Sequence, residues 1–318
     1  MTRFLVTGGG GFIGSHLAQA LLRKGGQVRI LDNFSTGLRE NVAELPGAEV
    51  VEGDIRSYHV VREAVEGIDV VLHQAALPSV PRSVRDPLTS NEVNVGGTLN
   101  LLTAARDAGV GRLVYASSSS VYGRALALPK RETMSPDPAS PYAISKLAAE
   151  QYCRAFTDLY GFETVVLRYF NVFGPRQSPR SEYAAVVPRF IQAIQRGETP
   201  VIYGDGSQTR DFTFVGNVVE ANILAAERDG VSGRVMNIAT GTEISLLAMV
   251  QCLERILGVK ARPTFAPRRP GDVENSCASI DLARSLLGYT PRIQLEEGLR
   301  ITVEALKSTM PVGPHGPH

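Results

Sequence analysis

The chain is short of cysteine, of net charge and of long apolar runs, and each shortage excludes something. Its three cysteines, Cys153, Cys252 and Cys277, are scattered without the spacing of a metal or redox site, so reduced packing thiols are expected. A formal net charge of +1 over 318 residues provides no field for nucleic acid or an anionic membrane. There is no run of 18 apolar residues to cross a bilayer, and no signal peptide ahead of the first strand-like segment, so residence in the cytoplasm is expected. No metal site is expected either: His315 and His318 fall in a Pro/Gly-rich tail, 311–318, that reads as loose. Lysine is scarce at five, against 28 arginines, which makes any lysine inside a motif conspicuous. What remains is ordinary globular material, 43% hydrophobic and 20% charged, enough for one large domain or two closely joined ones.

The clearest positive signal at the N-terminus is Phe4-Leu5-Val6-Thr7 running into Gly8-Gly9-Gly10-Gly11-Phe12-Ile13-Gly14. A short apolar run, a glycine turn and a helical pattern over Ser15–Leu22 make a strand–loop–helix unit. Glycines let backbone N–H groups approach a pyrophosphate at a helix N-terminus, where the dipole favours an anion. The next strand-like run, Gln27–Leu31, ends in Asp32, which is positioned to receive a ribose 2′-hydroxyl and repel a 2′-phosphate. NAD is therefore expected over NADP.

Strand-like runs at Phe4–Thr7, Val28–Asp32, Glu49–Gly53, Val70–His73, Leu113–Ala116 and Thr164–Arg168 alternate with helical stretches, including Asn94–Ala108 and Tyr142–Tyr160. The strands are continuously apolar, which predicts burial on both faces and a doubly wound, Rossmann-type parallel α/β sheet. Beyond Arg168 the pattern changes: Pro, Gly and Arg gather in 170–210 and again in 262–272. This predicts a smaller, discontinuous C-terminal lobe, with Val235–Ala239 returning to the sheet and helices at Tyr183–Arg196, Gly216–Arg228, Leu246–Leu257 and Leu295–Lys307. The expected division is 1–168 plus about 213–240 for the dinucleotide domain, and 169–212 plus 241–310 for the second lobe. No internal repeat or low-complexity linker is visible.

Tyr142-Ala-Ile-Ser-Lys146 places a phenol and an ammonium on one helix face. A cation there favours the phenolate and draws the tyrosine pKa down from its free value of roughly 10, making a general base for an alcohol proton. Ser117 to Ser120 follow a sheet strand, where hydroxyls can bind a substrate alcohol or satisfy their own loop. Asn94 opens the helix after the fourth strand; it can cap that helix, hold a water near Lys146, or both.

These residues together resemble the extended short-chain dehydrogenase/reductase superfamily, over essentially the whole chain. Within it the sequence looks most like the UDP-hexose 4-epimerases, particularly bacterial members acting on N-acetylated UDP-hexosamines. The matching stretches are Gln74–Ser83, Leu167–Gly174, Gly204-Asp205-Gly206 with Arg210-Asp211-Phe212, and Arg269-Pro270-Gly271-Asp272. The resemblance implies NAD held by Gly8, Gly11, Phe12, Ile13, Gly14, Asp32, Asn33, Asp54, Ile55, Ala75, Ala76, Asn94, Tyr142, Lys146 and Tyr169. It implies Tyr142 as acid/base, Lys146 as its pKa partner and ribose ligand, and Ser118 on the sugar 4-oxygen. Asn171, Arg210, Arg269 and Asp272 would hold the UDP moiety; paired arginines suit a diphosphate. The implied reaction oxidises C4 of a UDP-sugar and returns the hydride to the other face of the 4-keto sugar. Ser119 and Ser120 stand where related dehydratases and decarboxylases carry acids, which disfavours those activities. The gatekeeper position counted from Asp272 is Ser276, small enough to admit an N-acetyl group, so UDP-GlcNAc and UDP-GalNAc are expected beside UDP-glucose and UDP-galactose. Two alternatives stay open: a UDP-glucuronate 4-epimerase, with Arg176 or Arg180 facing the carboxylate, and a non-catalytic dinucleotide-binding module. A homodimer is implied, with Leu99, Leu102, Leu147 and Phe156 suited equally to its interface or to the core.

Overall fold

A computed structural model describes residues 1–178, 185–268 and 274–309. Arg180, Tyr183, Arg269, Asp272 and the tail 311–318 lie outside the described residues.

Seven strands form one parallel sheet: β1 (Arg3–Thr7), β2 (Gln27–Asp32), β3 (Ala48–Glu52), β4 (Val70–His73), β5 (Arg112–Ser118), β6 (Glu163–Tyr169) and a last strand, Val235–Ile238. Their spatial order is β3-β2-β1-β4-β5-β6 followed by Val235–Ile238. The order of winding thus reverses between β1 and β4, the crevice where doubly wound sheets bind dinucleotides. Register pairs Val6 with Ile30 and with Leu72, and Ser118 with Tyr169.

The continuous apolar runs follow from two buried faces. Leu5, Val71, Leu113, Tyr115 and Val166 pack into one core, while their neighbours Val6, Leu72, Val114, Val165 and Leu167 pack into another. Side chains alternate across a strand, so a run with cores on both sides must be apolar throughout. β3 departs from this expectation: it is the sheet's edge, and Val50 is 45% exposed. The second core continues without a break into the C-terminal part, taking in Phe173, Phe190, Phe214, Leu253 and Leu299.

Past β6 the strands outside the main sheet become short. Three two-stranded ladders join Val172–Phe173 to Thr213–Phe214, Thr209–Arg210 to Ile244–Ser245, and Val201–Tyr203 to Thr264–Ala266. Helices cover Val186–Gln195, Val215–Glu227, Leu246–Leu257, Asp281–Leu287 and Leu295–Thr309. Asp211, fully buried, ties this region together by accepting from Thr240 N (2.8 Å), Thr240 Oγ1 (2.7 Å), Gly241 N (2.9 Å) and Ala278 N (3.3 Å).

Leu102 and Phe156 are buried in the core, while Leu99 and Leu147 pack against it and stay half-buried.

Candidate active site

The glycine turn connects β1 to helix α1 (Phe12–Arg23), whose N-terminus has Gly11 as N-cap with no capping side chain. Gly8 sits at φ 72°, and a Cβ there would lie 2.7 Å from Ala75 N. A Cβ on Gly14 would lie 2.1 Å from Gly8 O. Any side chain would fill this cradle, so the glycines keep backbone amides open to an approaching group. Asp32 closes the loop by accepting from Gly10 N (2.8 Å) and Phe34 N (2.8 Å). Two to three hydrogen bonds leave a carboxylate acceptor capacity for a ribose hydroxyl. At the next strand end Asn33 donates to Asp54 (2.9 Å), and Arg56, the chief cause, holds the Asp54 carboxyl down at about 2. Ile55 is buried and packs against Gly97. Ala75 and Ala76 follow β4, with Ala75 N donating to Thr7 Oγ1 (3.3 Å). These residues fit a dinucleotide laid across the strand ends, with its pyrophosphate at the start of α1.

The catalytic candidates meet at the end of β5. Helix Pro141–Tyr160 is capped by Ser140, whose Oγ accepts from Ala143 N (3.2 Å), and Pro141 opens its first turn. From this helix Tyr142 shares a side-chain hydrogen bond with Ser118. Lys146, almost fully buried, donates from Nζ to Ala116 O (2.8 Å) and lies 4.9 Å from the centre of the Tyr115 ring. Burial pulls its ammonium down to about 8, opposed by the Glu150 charge. Burial also raises the Tyr142 phenol above its ordinary value, while the Ser118 hydrogen bond works the other way. This corrects the expectation of a tyrosine lowered by Lys146. In the protein alone the ammonium is bound to a strand carbonyl, and desolvation of the phenol is the larger effect.

Asn94 also departs from expectation. It lies inside a π-helical turn, Glu92–Gly97, that continues from the helix Pro87–Asn91, so it caps nothing. Its Oδ1 accepts from Leu77 N (2.8 Å) and its Nδ2 donates to Ser145 Oγ (3.0 Å). It therefore clamps the loop after β4 to the helix that carries Tyr142 and Lys146. Such π turns recur at functional sites.

Tyr169 at the end of β6 is buried, its hydroxyl receiving a bond from Asn222 Nδ2 (2.7 Å) and one from Gln74 Nε2 (3.1 Å). Asn171 has φ 28°, and its carbonyl accepts from Thr213 N. Arg210 is half-buried and donates from Nη1 to Thr209 O (2.7 Å) and Glu274 O (3.0 Å). Ser276 is buried, with its N–H donating to Thr209 O (3.2 Å), which brings it beside Arg210. Ser120 Oγ is buried with no partner among the described residues, a free hydroxyl two residues from Ser118. Arg176 pairs with Glu44 (3.0 Å), flanking α1.

The model of the NAD dependent epimerase/dehydratase family matches residues 4–239. The chain belongs to that family. The UDP-glucose 4-epimerase of Mycolicibacterium smegmatis is 41% identical over 311 residues, covering 96% of this chain and 99% of its own. A UDP-N-acetylglucosamine 4-epimerase from Methanobrevibacter ruminantium M1, solved in complex with UDP-N-acetylmuramic acid, matches with a TM-score of 0.93 and 39% identity, over 97% of this chain and 99% of that one. A UDP-glucuronic acid 4-epimerase from Bacillus cereus, in complex with UDP-glucuronic acid and NAD, matches with a TM-score of 0.90 and 33% identity, over 97% of this chain and all 100% of that one.

Three features of this family member escaped the sequence reading. His73 is buried between Thr7 Oγ1 (2.7 Å from Nδ1) and Thr98 Oγ1 (2.9 Å from Nε2). Because Thr98 donates to Asn94 O (2.6 Å), Nε2 must carry the proton and Nδ1 accept one from Thr7. The second is the Asn94 clamp. The third is Glu150, one turn beyond Lys146, bound by Ser117 and Arg168. Only Glu150 had a sequence signal, the continued spacing of four from Tyr142 through Lys146.

Proposed function

We propose that this protein is an NAD-dependent UDP-hexose 4-epimerase that interconverts UDP-glucose and UDP-galactose, and UDP-GlcNAc and UDP-GalNAc. The observation that carries the reading is the meeting of Ser118, Tyr142 and Lys146 at the end of β5. It is supported by Ser119 and Ser120, which cannot act as the acids that elimination or decarboxylation would use.

Bound NAD supplies the hydride acceptor and donor for C4 of the sugar. Ser118 holds the 4-oxygen and Tyr142 takes its proton, then returns it when the 4-keto sugar has turned over. Lys146 places a positive charge one helical turn away to balance the tyrosinate once it forms, against the burial that raises the phenol. Gly8, Gly11, Phe12, Ile13 and Gly14 face the pyrophosphate, Asp32 and Asn33 the adenosine ribose, and Asp54 and Ile55 the adenine. Ala75, Ala76, Asn94 and Tyr169 line the nicotinamide side. Asn171, Arg210, Arg269 and Asp272 anchor the UDP, which leaves the sugar free to rotate. We assign 1–168 plus about 213–240 to the cofactor and 169–212 plus 241–310 to the UDP-sugar.

The small, buried Ser276 beside Arg210 supports acceptance of an N-acetyl group. The UDP-glucuronate reading is weaker because Arg176, its described candidate cation, is paired with Glu44. Two copies are assigned to pair through an outward stripe on the helix Pro141–Tyr160: Ile144, Ala148, Tyr152, Ala155 and Leu159. Ile144→Glu is expected to give a monomer by light scattering.

The test is epimerisation of UDP-glucose, UDP-GlcNAc and UDP-glucuronate in parallel, followed by NMR at C4. Turnover of the first two supports the proposal. UDP-glucose alone rejects the role of Ser276, and UDP-glucuronate alone rejects the substrate assignment.

A further inference from the structure

The end of β5 and the helix Pro141–Tyr160 are joined at three successive helical turns. Ser118 meets Tyr142, Ala116 O receives Lys146, and Ser117 donates to Glu150. The first two contacts belong to the acid–base pair. The third is buried still deeper, and the mechanism gives it no task.

Both oxygens of Glu150 are taken. Oε1 accepts from Ser117 Oγ and Arg168 Nε (3.0 Å), and Oε2 from Arg168 Nη2 (2.7 Å). The side chains are 1% and 5% exposed. Arg168 also lies 4.8 Å over the Tyr122 ring. A buried carboxylate one turn from a lone ammonium would ordinarily bond to it directly and draw it away from its working position. Here the fork of Arg168 and the Ser117 hydroxyl occupy the carboxylate, so Lys146 keeps its bond to Ala116 O while still feeling a negative charge nearby. A buried ammonium with no such charge sheds its proton.

We propose that Glu150, fixed by Ser117 and Arg168, is a positioning residue that keeps Lys146 protonated while denying it a direct ion pair, so that its charge stays available at Tyr142. This rests on the reading of Tyr142 and Lys146 as the acid–base pair. The other ionisable groups around Lys146 do not do this work. Tyr115 on β5 and Cys153 on the same helix are buried and held neutral, with their pKa values raised. His73 on β4 is held neutral by burial at about 3, and Arg168 on β6 is a cation, raised by Glu150 against the opposing effect of burial. Glu150 is thus the one anion facing Lys146 among the described residues.

With only five lysines in the chain, the test is direct. Lysine-selective 13C NMR of the substrate-free protein follows the titration of Lys146, assigned by loss of its signal in Lys146→Arg. Glu150→Gln should lower the midpoint by about one pH unit or more. The paired variant Glu150→Met with Arg168→Met should lower it by less, because an opposing cation leaves with the anion. That pair removes both buried charges together and carries the test if Glu150→Gln leaves Arg168 too unstable to fold. In activity assays the alkaline limb of kcat should move to lower pH by the same amount, with KM for the UDP-sugar little changed. A Lys146 midpoint unmoved in a folded variant overturns the proposal and leaves Glu150 as packing. The NMR result stands apart from the assigned reaction, whose failure would show as absence of turnover in the unaltered protein.

Discussion

The first half of the molecule and the part beyond Tyr169 use opposite means to hold functional side chains. In the first half, strand ends and helix starts do it. Gly8 to Gly14, Asp32, Asp54, Ala75 and Ser118 all lie at or just past the carboxyl ends of parallel strands, and Tyr142 lies in the first turn of a helix. Beyond Tyr169 the strands outside the main sheet are two or three residues long, and the loops are fixed by side-chain hydrogen bonds, above all the four that Asp211 accepts, three of them from backbone N–H groups. In the proposed reading, the fixed dinucleotide and one proton transfer fall on rigid elements, and the sugar that must turn over falls among loops around one buried carboxylate.

Variants that break this contrast rank by expected size. Tyr142→Phe removes only a hydroxyl bonded to Ser118 and should lower kcat by about 10³-fold without loss of NAD binding. If turnover survives, proton transfer does not run through the first half. Asp211→Ala removes four hydrogen bonds from the second region and should cost about 3 kcal/mol in chemical denaturation. KM for the UDP-sugar should rise more than kcat falls. Gly14→Ala forces a Cβ against Gly8 O, an overpacking worth about 1–3 kcal/mol. Felt at the cofactor site, it should weaken NAD binding by roughly 10- to 100-fold in calorimetry.

A pH test sharpens the same comparison. His73, in the first half, has its pKa lowered to about 3 by burial, with Lys146 adding to the effect. Its folded pKa lies below the unfolded value of 6.5, so its stabilisation is complete above pH 6.5 and is lost as pH falls towards 3. Urea titrations should show a loss of up to about 1.4 kcal/mol per pH unit from this residue, a slope that His73→Asn flattens. The smallest effect belongs to the exposed Lys24–Glu227 pair, where Lys24→Ala should change stability by less than about 0.5 kcal/mol.

This division also explains what was legible in the sequence. The sheet could be read because burial on two faces writes itself as continuous apolar runs, and the glycine turn because Gly8 and Gly14 leave no room for a Cβ. The Tyr142–Lys146 spacing located the helix that meets the end of β5. Its electrostatics were not legible: whether Lys146 or burial governs the phenol depends on Ala116 O, a backbone atom from a distant strand. The π turn at Glu92–Gly97 hid for a similar reason, since Asn94 looks like a cap until Leu77 and Ser145 are placed against it. In the second region Asp211 sits in a family motif, yet nothing in its spacing announces Thr240 and Ala278 as partners.

The most direct test of the proposed reaction is to supply UDP-glucose carrying deuterium at C4 and to examine the epimer by NMR. If Ser118, Tyr142 and Lys146 support a transient oxidation at C4, with the hydride returned to the same carbon, the product keeps its deuterium. Product carrying protium from solvent at C4 would contradict the account.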